Sequence, residues 1–117
     1  MAAFSSDPIG LDIECCGRSK DFQAIACRFF LPEEADFVSQ AGADCEEVFL
    51  RIWTAKEAIV KLTGEGLAGG LAMVRTTPDG QGFLGDQVVY LRQFVAGNCY
   101  GTAASFFPFE VKGWFDL

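Results

Sequence analysis

Asp12 and Glu14 stand two residues apart in Gly10-Leu11-Asp12-Ile13-Glu14. In an extended strand that spacing puts both carboxylates on one face and sends Leu11 and Ile13 to the other, here the core face. Side-by-side carboxylates repel, and a hard divalent cation resolves the conflict. Mg²⁺ favours one or two carboxylates completed by phosphate oxygens and water. A strand end with a solvated acidic face is the plainer reading of the same pair.

A second group is Trp53, Glu57 and Lys61, spaced by four within Trp53-Thr54-Ala55-Lys56-Glu57-Ala58 and its continuation. On a helix they share a stripe nearly opposite the apolar one, so Trp53 is expected off the core, on a second packing surface or a ligand wall. Glu57 before Lys61 is equally the favourable orientation for a surface ion pair. Gly64-Glu65-Gly66-Leu67-Ala68-Gly69 spells G-x-G-x-x-G. A dinucleotide fold needs a strand before that motif and a helix after it, and here the helix comes first. Gly64 reads instead as a helix C-cap, and Gly66 as a close backbone turn, suited to lie against a phosphate.

The elements that must position these groups follow from the apolar pattern. Pro8 to Cys16 reads as a buried strand ending at Gly17. Ser19 can cap a helix over about Lys20 to Phe30, with Phe22, Ile25, Ala26, Phe29 and Phe30 at helical spacing. Pro32, Glu33 and Glu34 suit the first turn of a second helix. The best-defined element runs from about Asp44 to Thr63, with Val48, Ile52, Ala55, Ile59 and Leu62 as its apolar stripe. Ala72 to Thr77, Gln87 to Val95, Tyr100 to Phe107 and Glu110 to Phe115 read as strands, separated by Pro78-Asp79-Gly80 and Gly97-Asn98. One strand, a run of helices and then antiparallel strands make an α+β class, helices packed on an antiparallel sheet.

Composition narrows the chemistry. The 117 residues predict one domain, 50% hydrophobic and 14% aromatic with 12 Phe, too apolar for disorder and rich enough for a partner surface. The chain has five cysteines and no histidine. Without any C-x-x-C spacing, a zinc site and histidine catalysis are not expected. An odd number with Cys15 and Cys16 adjacent reads as reduced thiols in a cytoplasmic protein. The N-terminus lacks the basic and apolar regions of a signal peptide, and no run suits a membrane span. A net charge of −7 argues against a nucleic-acid partner.

Jointly, G-x-D-x-E (Gly10 to Glu14), F-F-x-x-x-E (Phe29, Phe30, Glu34) and W-x-x-K-E-A-x-x-K-x-x-G-x-G-L (Trp53 to Leu67) resemble the 4'-phosphopantetheinyl transferase family. The likeness is to the second half of the surfactin-synthetase-activating branch, although the length is that of the short holo-acyl-carrier-protein synthases. It implies transfer of the phosphopantetheine arm of coenzyme A to a serine of an acyl or peptidyl carrier protein. It implies that Asp12, Glu14 and Glu57 hold Mg²⁺ (or Mn²⁺) on the pyrophosphate, with Lys61 against it. Lys56, Lys61, Gly64 and Gly66 would face coenzyme A, and Glu57 or Glu34 would take the serine proton.

The family's first half, with its histidine and basic residues for the 3'-phosphate, has no counterpart here. The expected working form is therefore a homodimer or homotrimer with its cleft between subunits. Carrier proteins are acidic, and Arg18, Lys20 and Arg28 are the basic residues available to meet one. Two other readings remain: an unpaired half that binds Mg²⁺, coenzyme A or a partner subunit without turnover, and a structural protein that keeps the motifs without activity.

Overall fold

The computed structural model describes residues 2–4, 8–17, 20–64, 73–77 and 80–112, with strands 2–4 and 110–112 given by backbone alone. In chain order the elements are β1 (Ala2–Phe4), β2 (Gly10–Cys15), α1 (Phe22–Phe29), α2 (Pro32–Gln40), a 3₁₀ turn at Gly42–Asp44 and α3 (Cys45–Thr63). They continue with β3 (Val74–Thr76), β4 (Gln81–Leu84), β5 (Gln87–Ala96), β6 (Cys99–Ser105) and β7 (Glu110–Lys112). The main sheet has five strands in the order β2-β6-β5-β4-β3, and β1 pairs with β7 in a second sheet. Each pairing is antiparallel, as the α+β expectation requires. Arg18, Ser19, Gly66, Ala72, Pro78, Asp79 and residues 113–115 of the expected last strand lie outside the described residues.

The long helix forms where its local signals place it. Glu46 and Glu47 occupy the first turn of α3, Lys61 the last, and Gly64 caps it at φ +74°. Left-handed backbone of that kind favours glycine. Ala55, Ile59 and Leu62 pack with Val74, Val89, Leu91 and Ala104 of the sheet. The other flank of α3 packs on α1 and α2, through Phe49, Leu50 and Ile52 with Ala26, Phe30 and Val38. The helix is thus buried on two sides.

Several expectations are corrected. Trp53 belongs to this second cluster: it stacks on Phe49 at 5.7 Å between centroids and meets Phe29 and Phe30 at 6.3 Å each. A helix sandwiched between a sheet and two helices has two apolar stripes, so the flank opposite the first is also interior. The alternation in β2 runs in the opposite phase to the one expected. Gly10, Asp12 and Glu14 face α3, while Ile13 is 38% exposed on the other side. The helix Phe22–Phe29 is capped by Asp21, which accepts from the Ala24 amide.

Strands β1 and β4 were not anticipated. Strand β4 is short and carries Gly82, whose missing side chain leaves room for Ile59 and Leu91; its four residues show too little apolar alternation to mark a strand by pattern alone. Cys15 and Cys99, opposite each other in the β2–β6 register, form a disulfide, and Cys16, Cys27 and Cys45 are free. Pairing across 84 residues is invisible to local spacing. The cysteine count therefore no longer argues for a reducing compartment. No described helix is long and apolar enough to cross a membrane.

Between the two clusters lies a buried ion pair. Lys56 Nζ and Glu34 Oε1 are 2.7 Å apart, both side chains fully buried. Lys56 also donates to the Val74 carbonyl. Glu34 accepts from the Leu31 amide and from both the amide and hydroxyl of Thr76. One carboxylate thus joins α2, α3 and β3. Burial pulls the Lys56 pKa down while Glu34 opposes that pull. Removing either partner strands the other in the interior, at a cost of about 3–5 kcal/mol. In urea unfolding, Glu34→Gln and Lys56→Met should each show a loss of that order, and the double variant clearly less than the sum. Additive losses would contradict the pairing.

Candidate active site

The acidic group is assembled by the contact of β2 with α3. A side chain at Gly10 would run into the backbone of Ala58 and Leu62. With hydrogen in that place the strand lies directly on the helix, and Asp12 comes to rest against its last turns. Lys61 Nζ donates to Asp12 Oδ1 at 2.7 Å. The Asp12 side chain is 8% exposed and that of Lys61 53%. Asp12 Oδ2 is buried and finds no hydrogen-bond partner among the described residues. Glu57, one helical turn before Lys61, is half-buried, as is Glu14 on the strand.

Electrostatics ties the group together. Burial pushes the Asp12 carboxyl above its ordinary value; the Lys61 bond opposes this and Glu14 adds to it. Burial also raises Glu57, with the charges of Asp12 and Glu14 adding and Lys61 opposing. The bond to Asp12 raises Lys61. Carboxylates that hinder one another's ionisation are a poor structural device and a good receptor for a cation. Among the described residues no three metal-binding side chains stand close enough to enclose an ion. Mg²⁺ does not need such a cage, since phosphate and water complete its shell. The buried, unpartnered oxygen of Asp12 fits a hard cation.

A cleft of about 260 Å³ opens beside Glu14, lined by Lys20, Phe22, Ile25, Phe29 and Trp53 among others. Phe29 is 41% exposed at its rim, with the Arg28 guanidinium 5.2 Å from its ring centre. Sequence reasoning missed this cleft, although the helical spacing of Phe22, Ile25 and Phe29 marks its wall. A larger cavity, about 450 Å³, lies on the other flank of α3 against Phe37, Val48 and Leu91 and holds none of the expected site residues.

The expected residues therefore separate into two places. Asp12, Glu14, Glu57 and Lys61 share one region. Glu34 and Lys56 are interior, in the clamp described above, and neither side chain is exposed to a ligand. Gly64 is a helix cap.

A sequence model described as the 4'-phosphopantetheinyl transferase superfamily matches residues 8–95, a span that holds both the acidic group and the clamp. The chain belongs to this superfamily. Among curated members, it is 41% identical over 61 residues to the 4'-phosphopantetheinyl transferase HetI of Nostoc sp., covering 51% of this chain and 26% of the relative. It is 40% identical over 88 residues to psf-1 of Bacillus pumilus, covering 72% and 36%. It is 36% identical over 85 residues to Sfp of Bacillus subtilis, covering 69% and 37%.

The chain thus spans between a quarter and two-fifths of these superfamily members. In fold it is similar to the holo-[acyl-carrier-protein] synthase of Neisseria meningitidis, with a TM-score of 0.61 and 22% identity, covering 83% of this chain and 94% of that one. Sequence motifs of the long members thus sit on a fold that a short member also has.

The raised carboxyls have a measurable consequence. The folded protein holds protons on Asp12 and Glu57 at pH values where the unfolded chain has released them. Their contribution to stability is therefore lost as pH rises from about 4 through the raised folded values. In chelator, unfolding midpoints measured across that range should fall less steeply for Asp12→Asn/Glu57→Gln than for the wild type. Identical slopes would contradict the coupling.

Proposed function

We propose that this chain transfers the 4'-phosphopantetheine arm of coenzyme A to a serine of an acyl or peptidyl carrier protein, with Mg²⁺ (or Mn²⁺) as cofactor. The observation that carries the reading is the buried carboxylate of Asp12, with one oxygen unpartnered among the described residues, facing Glu57 and Lys61 within a span matched by the superfamily. Asp12 with Glu57 or Glu14 would hold the cation. When bound, it would polarise the pyrophosphate and stabilise the leaving oxygen.

The protein's own groups then have distinct tasks. The serine oxygen bonds to the phosphorus that carries the pantetheine arm, and the bond from that phosphorus to adenosine 3',5'-bisphosphate breaks. Glu57, half-buried beside Asp12, would accept the serine proton, directly or through water. Glu34, sealed in the core, is left with a structural part. Lys61, half-exposed, can turn to the phosphates, where a positive charge favours the transition state. The apolar cleft beside Glu14 suits the uncharged arm. Lys20, Arg28 and exposed Phe29 make a basic and aromatic rim for an acidic carrier protein.

We also propose a homodimer or homotrimer. All three helices lie on one side of the main sheet, whose other side presents Ile13, Val88 and Tyr90, each 38–40% exposed. Such a face calls for a cover, and the curated relatives are roughly three times longer than the part matched here. The second reading, an unpaired half that binds without turnover, rests on the same short coverage.

Calorimetric titration with coenzyme A tests the site. Binding should require Mg²⁺ or Mn²⁺, weaken at least about tenfold for Lys61→Ala, and lose its metal dependence in Glu57→Gln. It should also fade on dilution below the oligomer's dissociation range. Affinity indifferent to chelator would contradict the metal role, and full affinity in a dilute monomer would contradict the shared cleft. Reversing Arg28, which is not among the residues lining the cleft, to Glu should raise the carrier KM and leave this titration unchanged; an unchanged KM would move docking elsewhere.

A further inference from the structure

The helix α3 carries two lysines, five residues apart, that are held in opposite ways. Lys56 is sealed in the interior, bonded to Glu34 and to the Val74 carbonyl. Lys61 is tethered only by its tip: its side chain is 53% exposed, while the carboxylate it grips is 8% exposed. Within that ion pair the aspartate cannot leave and the lysine can. A long, flexible ammonium at the edge of solvent returns to water with little loss.

We propose that Lys61 is a built-in placeholder for the divalent cation, occupying Asp12 in the metal-free protein and released toward solvent when the ion enters. The proposal rests on the metal reading above and adds an order of events to it. A buried carboxylate needs a positive charge beside it when no metal is bound, and the Lys61 ammonium supplies it at 2.7 Å from Asp12. Asp12 Oδ2 has no partner among the described residues, so the ammonium satisfies half of that carboxylate and leaves the other oxygen to the ion. A cation bound at about 2.1 Å from the carboxylate oxygens would repel an ammonium still bonded to Oδ1. Once displaced, the same lysine is free to face the phosphates of an incoming nucleotide. The cation therefore binds before Lys61 can serve the substrate.

Two readouts need no turnover. The first is Mn²⁺ affinity, by electron paramagnetic resonance, without any nucleotide. Lys61→Met should bind Mn²⁺ about fivefold or more tightly than the wild type, because the competitor is gone. Arg75→Gln, which removes a positive charge at the far edge of the sheet, should change affinity less than about twofold. The second is the side-chain nitrogen resonance of Lys61, which should move toward that of solvated lysines as Mg²⁺ is added. Equal affinity in wild type and Lys61→Met, or a Lys61 resonance that stays in place while Mg²⁺ binds, would overturn the placeholder and leave the metal site standing. No Mn²⁺ binding in either protein would overturn both.

Discussion

The direct contact of β2 with α3 is the constraint on which the rest depends. Gly10 has no room for a side chain because the backbone of Ala58 and Leu62 fills that space. The strand therefore lies low on the helix, and the next residue on the same face, Asp12, is carried into a position from which water is largely excluded. Burial and charge then follow from geometry. A carboxylate in that place has a raised pKa, draws Lys61 to itself and disturbs Glu57 one turn away. The strand is secured from its far side by β6, where Thr102 shares a 2.9 Å hydroxyl bond with Thr54 of α3.

Two ion pairs divide the work along one helix. Glu34 and Lys56 hold α2, α3 and β3 in register, and every oxygen and nitrogen involved is turned inward. Asp12 and Lys61 meet five residues further along the helix, with one oxygen unpartnered among the described residues and one side chain half in solvent. Chemical type alone does not separate these pairs, since each is a lysine with a carboxylate. Exposure does. The first costs stability to break, whereas the second, with its lysine half in solvent, opens at little cost.

What could be read from the sequence was local or carried by motif. Helix α3 was legible to within a residue or so because its cap, first-turn acids, apolar stripe and terminal Gly64 are all within its own span. Asp12, Glu14, Glu57 and Lys61 were identified together because three motifs fall in one order. The misses were all matters of tertiary context. The phase of β2 is set by Gly10 against a helix roughly fifty residues away, so alternation alone assigned Ile13 to the wrong face. Trp53 reads as off-core until α1 and α2 are known to cover that flank. Glu34 sits in a motif and has the right chemistry for a base, and only its burial reveals a clamp. The Cys15–Cys99 bond and the short strand β4 depend on sheet register, which no local pattern reports.

The superfamily assignment, the α3-facing carboxylates and the aromatic cleft support the proposed arm transfer, and the chain spans between a quarter and two-fifths of the curated relatives it matches. The most direct test is mass spectrometry of an apo carrier protein after incubation with this chain, coenzyme A and Mg²⁺. The account predicts a gain of one phosphopantetheine on the carrier's serine, absent in chelator and absent with Glu57→Gln. An unmodified carrier under saturating coenzyme A and Mg²⁺, with the protein folded and coenzyme A bound, would contradict it.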